Sequence, residues 1–232
     1  MADAIVYGSR LSPFVEKVVR GLQRKRLSFE LVEPTGPTDL RTWNPQTRKM
    51  PVVELRGEKL IDSTFILRRL DELVPEPPLL SADPNAAAAQ RQLEDWADEA
   101  LYWYTMGVRW SPDHADATAD QILRNAPGPA FLKPLMRVFV KRQFGGLAKA
   151  QGLGRLPNAV LVEEYGRRLD DLLRMLGDRP FFFADEPSVA DLAVYGQLAM
   201  ATSEVTPELG DLVRRRPQLA EYLKRVEQAT GG

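Results

Sequence analysis

The chain has 232 residues, of which 44% are hydrophobic and 27% charged, and its formal net charge is −1. That length holds one large domain or two small ones around a sizeable core, and the balanced charge gives no general attraction to nucleic acid or to acidic membranes. Cysteine is absent, which excludes disulfides, thiolate metal sites and any thiol nucleophile carried by the protein itself. The start of the chain lacks a basic stretch followed by an apolar core, and no run approaches the ~20 apolar residues of a membrane span, so a cytoplasmic location is expected.

The first strand is predicted over residues 5–7. Tyr7-Gly8-Ser9-Arg10-Leu11-Ser12-Pro13-Phe14 then leads into Val15, Val18, Val19 and Leu22, spaced like one face of a helix that runs to about residue 25. Ser12 stands where strand hands over to helix. A serine there can cap the helix, with Pro13 suited to the first helical position. The same place attracts an anion or thiolate, because free N–H groups and the positive end of the helix dipole converge on it. Local sequence leaves both roles open.

Residues 29–32 read as a second strand, and 34–37 as a turn. A short helix is expected over 39–43, ended by Asn44-Pro45. Two strands follow, 52–55 and 60–61, joined by Arg56-Gly57-Glu58-Lys59. Asp62-Ser63 precedes a helical pattern of Phe65, Ile66, Leu70 and Leu73. The order β-α-β-α-β-β-α points to an α+β domain, a mixed sheet with helices packed on it. Pro75-Glu76-Pro77-Pro78 breaks the pattern as a linker.

Beyond the linker the reading is all-helical: 86–110, then 130–150, 158–176, a buried helix from Ser188 to Met200, and two short helices separated by Pro217. Residues 111–128, with Pro112, Pro127 and Gly128, read as a loop holding at most a short helix. Ser188-Val189-Ala190-Asp191 is a capping box with Asp as its fourth residue. Residues 121–162 contain no Asp or Glu. Lys133, Arg137 and Lys141 share a helical face there, opposite Leu135, Val138 and Phe139. Such a helix is most often a solvated face over a core; it can also bind a membrane surface, or turn Arg137 or Arg155 toward an anionic substrate. His114 has no neighbouring Cys or second His, so no metal site is expected.

Four features fall in order: the Ser12-Pro13-Phe14 turn, Lys49-Met50-Pro51-Val52-Val53, Asp62-Ser63 and Ser188 to Asp191. Together they resemble the soluble glutathione transferase family over nearly the whole chain, and the Ser-Pro-Phe turn resembles its serine-type members. The second half, with Leu101-Tyr102-Trp103, Arg109-Trp110, Gln151-Gly152-Leu153-Gly154-Arg155 and Glu163-Glu164, is similar to the failed-axon-connections and metaxin-like branch. Leu156 stands where that branch often has His.

The resemblance implies a thioredoxin-like N-terminal domain (residues 1–75), a linker (76–84) and an all-α C-terminal domain (85–232). It implies glutathione as cosubstrate, a small hydrophobic electrophile and a homodimer; from the residues and the balanced charge, no metal and no nucleic acid are expected. Ser12 would donate to the glutathione sulfur and lower its pKa, with Ser9 and Tyr7 as rival hydroxyls. Met50 would pair through its backbone with the extended peptide beside a cis Pro51. Asp62 would take the γ-glutamyl ammonium, Ser63 its carboxylate, and Lys49 the glycyl carboxylate. Phe14, Tyr102, Trp103 and Arg137 are candidates for the electrophile pocket. A catalytically silent glutathione-binding or interaction protein is the alternative that the metaxin-like likeness permits.

Overall fold

The computed structural model describes residues 2–124 and 129–231. Strands β1 (Ala4–Tyr7), β2 (Phe29–Val32), β3 (Val52–Leu55) and β4 (Glu58–Ile61) form one sheet in the order β2-β1-β3-β4. Helix α1 (Pro13–Arg24) crosses over between β1 and β2 and so makes them parallel; β1 and β3, and β3 and β4, are antiparallel. The β3–β4 connection is shorter than the sequence suggests. Strand pairing resumes at Glu58, opposite Leu55, and the turn is Arg56-Gly57 alone, both at positive φ as a tight hairpin requires. Helices α2 (Pro37–Trp43) and α3 (Ser63–Leu73) complete the thioredoxin-like arrangement.

The valine face of α1 is buried as its spacing predicts: Val15, Val18, Val19 and Leu22 lie against Val6, Val53, Ile66, Leu67 and Leu70. Phe65 departs from the expected stripe. The inward row of α3 is Ser63, Ile66, Leu67 and Leu70, which turns Phe65 outward to 59% exposure, its ring beside the Arg68 guanidinium.

Past the linker all described elements are helical. The helix expected over 86–110 is divided: α4 (Pro84–Trp96), a π-turn (Ala97–Leu101) and α5 (Tyr102–Arg109). The segment expected as a loop with at most a short helix holds α6 (Ala115–Leu123), a nine-residue helix whose inner face is Ala115, Thr118, Ala119 and Leu123; the turn residues Pro127 and Gly128 lie outside the described residues. Next come α7 (Lys133–Gln151), α8 (Asn158–Leu176), α9 (Val189–Ala201), α10 (Pro207–Arg214) and α11 (Pro217–Ala229). Gly177, at positive φ, follows α8 where a left-handed cap is needed.

Helix α9 joins two cores. Its Val189 and Leu192 belong to the core under the sheet, while Ala190, Ala193, Val194 and Leu198 belong to the helical core with Tyr165, Leu169, Phe182 and Tyr222. The faces of α7 are reversed from the expected arrangement. Arg137 and Lys141 pair with Asp116 and Asp120 of α6, and the inward row is Val140, Phe144 and Ala148; Leu135, Val138 and Phe139 face solvent. Acidic residues on α6 supply the charge that the 121–162 segment lacks. No helix among the described residues is long and apolar enough to cross a membrane.

Candidate active site

Register fixes what meets at one end of the sheet. Tyr7 pairs with both Val32 and Val52, and Val52 with Ile61. The chain therefore leaves β1, β2 and β4, and enters β3, at the same end. Ser9 to Ser12, Glu33, Met50-Pro51 and Asp62-Ser63 all emerge there. Gly8 lets the first two segments close up: a Cβ on it would lie 2.5 Å from Val15 and 3.4 Å from the Met50 Cβ. The Ser9 N–H donates to the Met50 Sδ at 3.3 Å.

Ser12 occupies the N-cap of α1, at φ −89° and ψ 124°, but its hydroxyl makes no capping bond. The cap role, open from sequence, is thus not exercised. Only its backbone carbonyl receives the helix, from the N–H groups of Val15 and Glu16. Its hydroxyl has no protein partner among the described residues, at a helix start that favours negative charge. The rival hydroxyls stand in other surroundings. Ser9 Oγ donates to Glu33 Oε1 at 3.1 Å. Tyr7 packs its ring on Trp43, 5.1 Å between centroids, and burial together with neighbouring Glu54 pushes its phenol above the ordinary value.

Met50 precedes a cis bond to Pro51. Asn44, 1% exposed, shapes the approach: it donates to Lys49 O and Thr47 Oγ1 and accepts from the Thr47 N–H. Among the described residues neither the N–H nor the C=O of Met50 has a hydrogen-bond partner. Lys49 is exposed. Asp62 sits at φ 71° and ψ 127°, a strained backbone for a non-glycine residue. Its carboxylate accepts from the N–H groups of Thr64 and Phe65 and so caps α3. Ser63, 6% exposed, is the first helical residue, and its hydroxyl is unpartnered among the described residues.

Behind Ser63 lies a buried charge cluster that sequence reading did not single out. Lys17 Nζ is 2.6 Å from both Glu94 and Asp98 and 3.1 Å from Thr64 Oγ1, which itself donates to Glu94. The π-turn places Asp98 there. Burial opposes the Lys17 ammonium, but Asp98 and Glu94 together raise its pKa; burial raises that of Asp98, with Lys17 pulling the other way. Two carboxylates share one ammonium, leaving an excess negative charge beside the start of α3. The sequence signal was the i, i+4 pair Glu94 and Asp98; Lys17 stands on the polar side of α1 and carries no signal of its own.

One turn before Lys17 on α1, Phe14 packs against Tyr102 at 5.0 Å, and Tyr102 against Trp103 at 5.1 Å. Burial drives the Tyr102 phenol up to about 12. Leu11 and Pro13, the residues flanking Ser12, line a cavity of about 110 Å³ with Arg109, Met200 and Ser203. Ser12, Met50, Pro51, Ser63, Asp62, Phe14 and Tyr102 are thus gathered around the start of α1. Arg137 is not among them, being held on α6, and Arg155 bonds to the Lys149 carbonyl. His114 contacts Glu208 at 2.5 Å, and no cluster able to hold a metal occurs among the described residues.

Comparison with known proteins adds family-scale findings. The family model for the glutathione S-transferase N-terminal domain matches residues 6–78, and that for the glutathione S-transferase C-terminal domain residues 165–226, together more than half of the chain. The isoprene-epoxide–glutathione S-transferase of a Rhodococcus species is 27% identical, with 94% of this chain and 92% of that protein covered. Failed axon connections of Drosophila melanogaster is also 27% identical over 94% of this chain, which spans only 54% of that protein's length. A glutathione S-transferase of Methylobacterium radiotolerans, solved in complex with glutathione sulfonate, superposes with a TM-score of 0.60 at 26% identity, covering 97% of this chain and 90% of the other.

Proposed function

The chain belongs to the glutathione S-transferase family, and from that premise we propose that it adds the glutathione thiolate to a small electrophile, with Ser12 as the catalytic hydroxyl. One observation carries the reading: among the described residues Ser12 Oγ is free of protein partners at a helix start, while Ser9 is bonded to Glu33 and Tyr7 is packed against Trp43. A hydroxyl that donates to sulfur favours the charged form, and the dipole of α1 acts in the same direction. More thiolate then stands ready at neutral pH without a general base.

The remaining groups suit the rest of the tripeptide. The unpaired backbone of Met50 matches an extended peptide laid along the strand edge. The Ser63 hydroxyl, at the start of α3, matches the γ-glutamyl carboxylate. Asp62 spends its carboxylate on the α3 cap, which leaves the excess negative charge of Lys17, Glu94 and Asp98 to favour the γ-glutamyl ammonium. Lys49, exposed at the same sheet end, suits the glycyl carboxylate.

The test is turnover of an activated aryl halide with glutathione. In Ser12→Ala, kcat/KM is expected to fall roughly tenfold to a hundredfold, the worth of one hydrogen bond to a charged group. The apparent pKa of bound glutathione, read from thiolate absorbance, should rise while glutathione affinity is largely kept. An unaltered thiol pKa would remove Ser12 from the role. Glutathione binding with no turnover of any electrophile would instead favour a silent binding protein, the reading to which the likeness to Failed axon connections lends weight.

A further inference from the structure

Four cationic side chains are buried among the described residues, and three have carboxylates: Lys17 meets Glu94 and Asp98, Arg20 meets Glu16, and Lys25 meets Asp71. The fourth, Arg109, is 4% exposed and has no carboxylate within 4 Å among the described residues. Its Nη1 donates to Ser203 Oγ and its Nη2 to Gln121 Oε1, both at 2.7 Å and both neutral acceptors. Burial lowers its pKa to about 10, which still leaves a full positive charge at neutral pH. Leaving a buried charge without a counter-charge costs several kcal/mol, and arginine suits such a place where a planar anion is to be recognised.

The cavity lined by Leu11 and Pro13, the chain neighbours of Ser12, supplies the setting. Leu11, Pro13, Ala199 and Met200 give it apolar walls, and Arg109 and Ser203 close it. Its single carboxylate, Glu16, is already bonded to Arg10 at 3.1 Å and to Arg20 at 2.9 Å. The volume of about 110 Å³ has room for a carboxylate and a few carbons of the group that bears it. Tyr102 stands on the same face of α5 as Arg109, two turns earlier, and packs on Phe14.

We propose that the electrophile accepted here is an organic acid, its carboxylate seated on Arg109 and its reactive carbon presented to the thiol at Ser12. This rests on the transferase reading above. It differs from a purely hydrophobic substrate in naming one charged group and the residue that binds it. In the test reaction the thiolate sulfur forms a bond to the ring carbon, the carbon–chlorine bond breaks with chloride leaving on its electron pair, and the thiol proton passes to water.

The experiment compares para-chloro-dinitrobenzoate with its uncharged carboxamide, each rate divided by the uncatalysed rate with free glutathione. The wild-type protein is expected to prefer the acid by about tenfold or more in kcat/KM, the worth of a charge-assisted bond. That ratio should collapse toward one in Arg109→Met and survive in part in Arg109→Lys. A ratio near one in the wild-type protein, or one unchanged in Arg109→Met, overturns the proposal. The wild-type ratio stands even if the Met variant fails to fold. Should neither compound turn over although glutathione binds, the transferase reading fails separately. Calorimetric binding of para-nitrobenzoate against para-nitrobenzamide then decides the anion site: tighter binding of the acid supports it, and equal affinity overturns it.

Discussion

Asp191 is fully buried, and among the described residues its carboxylate pairs with no cation. It accepts instead from the N–H groups of Phe182 and Ser188 and from the hydroxyls of Ser188 and Tyr222. The capping box legible in the sequence is therefore half of its role; the other half, holding Phe182 and Tyr222, depends on chain contacts that no local pattern records. Burial pushes its pKa from 3.8 up to about 6, against the opposing effect of those bonds. The folded chain thus holds this proton more tightly than the unfolded chain does. The resulting stability is fully present below pH 3.8 and is lost as pH rises through about 6. A shift of that size corresponds to roughly 3 kcal/mol. Urea denaturation of wild-type protein and Asp191→Asn should show a stability difference that shrinks by about that amount from acid to neutral pH. A difference independent of pH would mean that Asp191 titrates normally.

At the scale of elements, periodicity served where one helix face meets one partner and failed where two partners compete. Helix α1 shows both. Its valine row was legible, but Lys17 and Arg20 are also buried, because α9 covers the side that the sequence marks as polar. The π-turn was not legible at all: it interrupts a continuous helical pattern and shows only in where it sends Asp98. Helix α7 failed for a related reason, since the acids that pair with its basic row stand on α6, in a stretch that reads as a loop with at most a short helix. The Lys17 cluster gives the measurable consequence. In Lys17→Met two carboxylates are left buried without their ammonium, and a loss of about 3–5 kcal/mol is expected in chemical denaturation. A loss below about 1 kcal/mol would show that water reaches Glu94 and Asp98, and the cluster would then hold no excess charge for a ligand.

For the whole molecule, the decisive fact is that the start of α1 rests on α9, the helix that joins the two cores. The inner face of α1 packs under the sheet, and its first turn lies so close to α9 that a Cβ on Gly196 would come 2.4 Å from the Pro13 carbonyl oxygen and 3.2 Å from its carbon. Those neighbours are backbone atoms of the residue after Ser12, so they yield only if the helix start moves. Gly145 in α7 has nothing within 4 Å of such a Cβ. The same substitution should therefore have opposite signs at the two places. Gly145→Ala is expected to stabilise by about 0.5–1 kcal/mol through helix propensity. Gly196→Ala is expected to destabilise by about 1–3 kcal/mol through overpacking. If the glutathione site is set by how α1 rests on α9, Gly196→Ala should also weaken glutathione binding. Leu219→Ala, in the helical core on α11, should cost about 2–5 kcal/mol and leave that binding intact. Calorimetric affinities for the three variants, measured where each is fully folded, separate the two effects. Equal affinities in Gly196→Ala and wild type would mean that the site is built by the sheet end alone, with the helical domain contributing only the cavity beyond it.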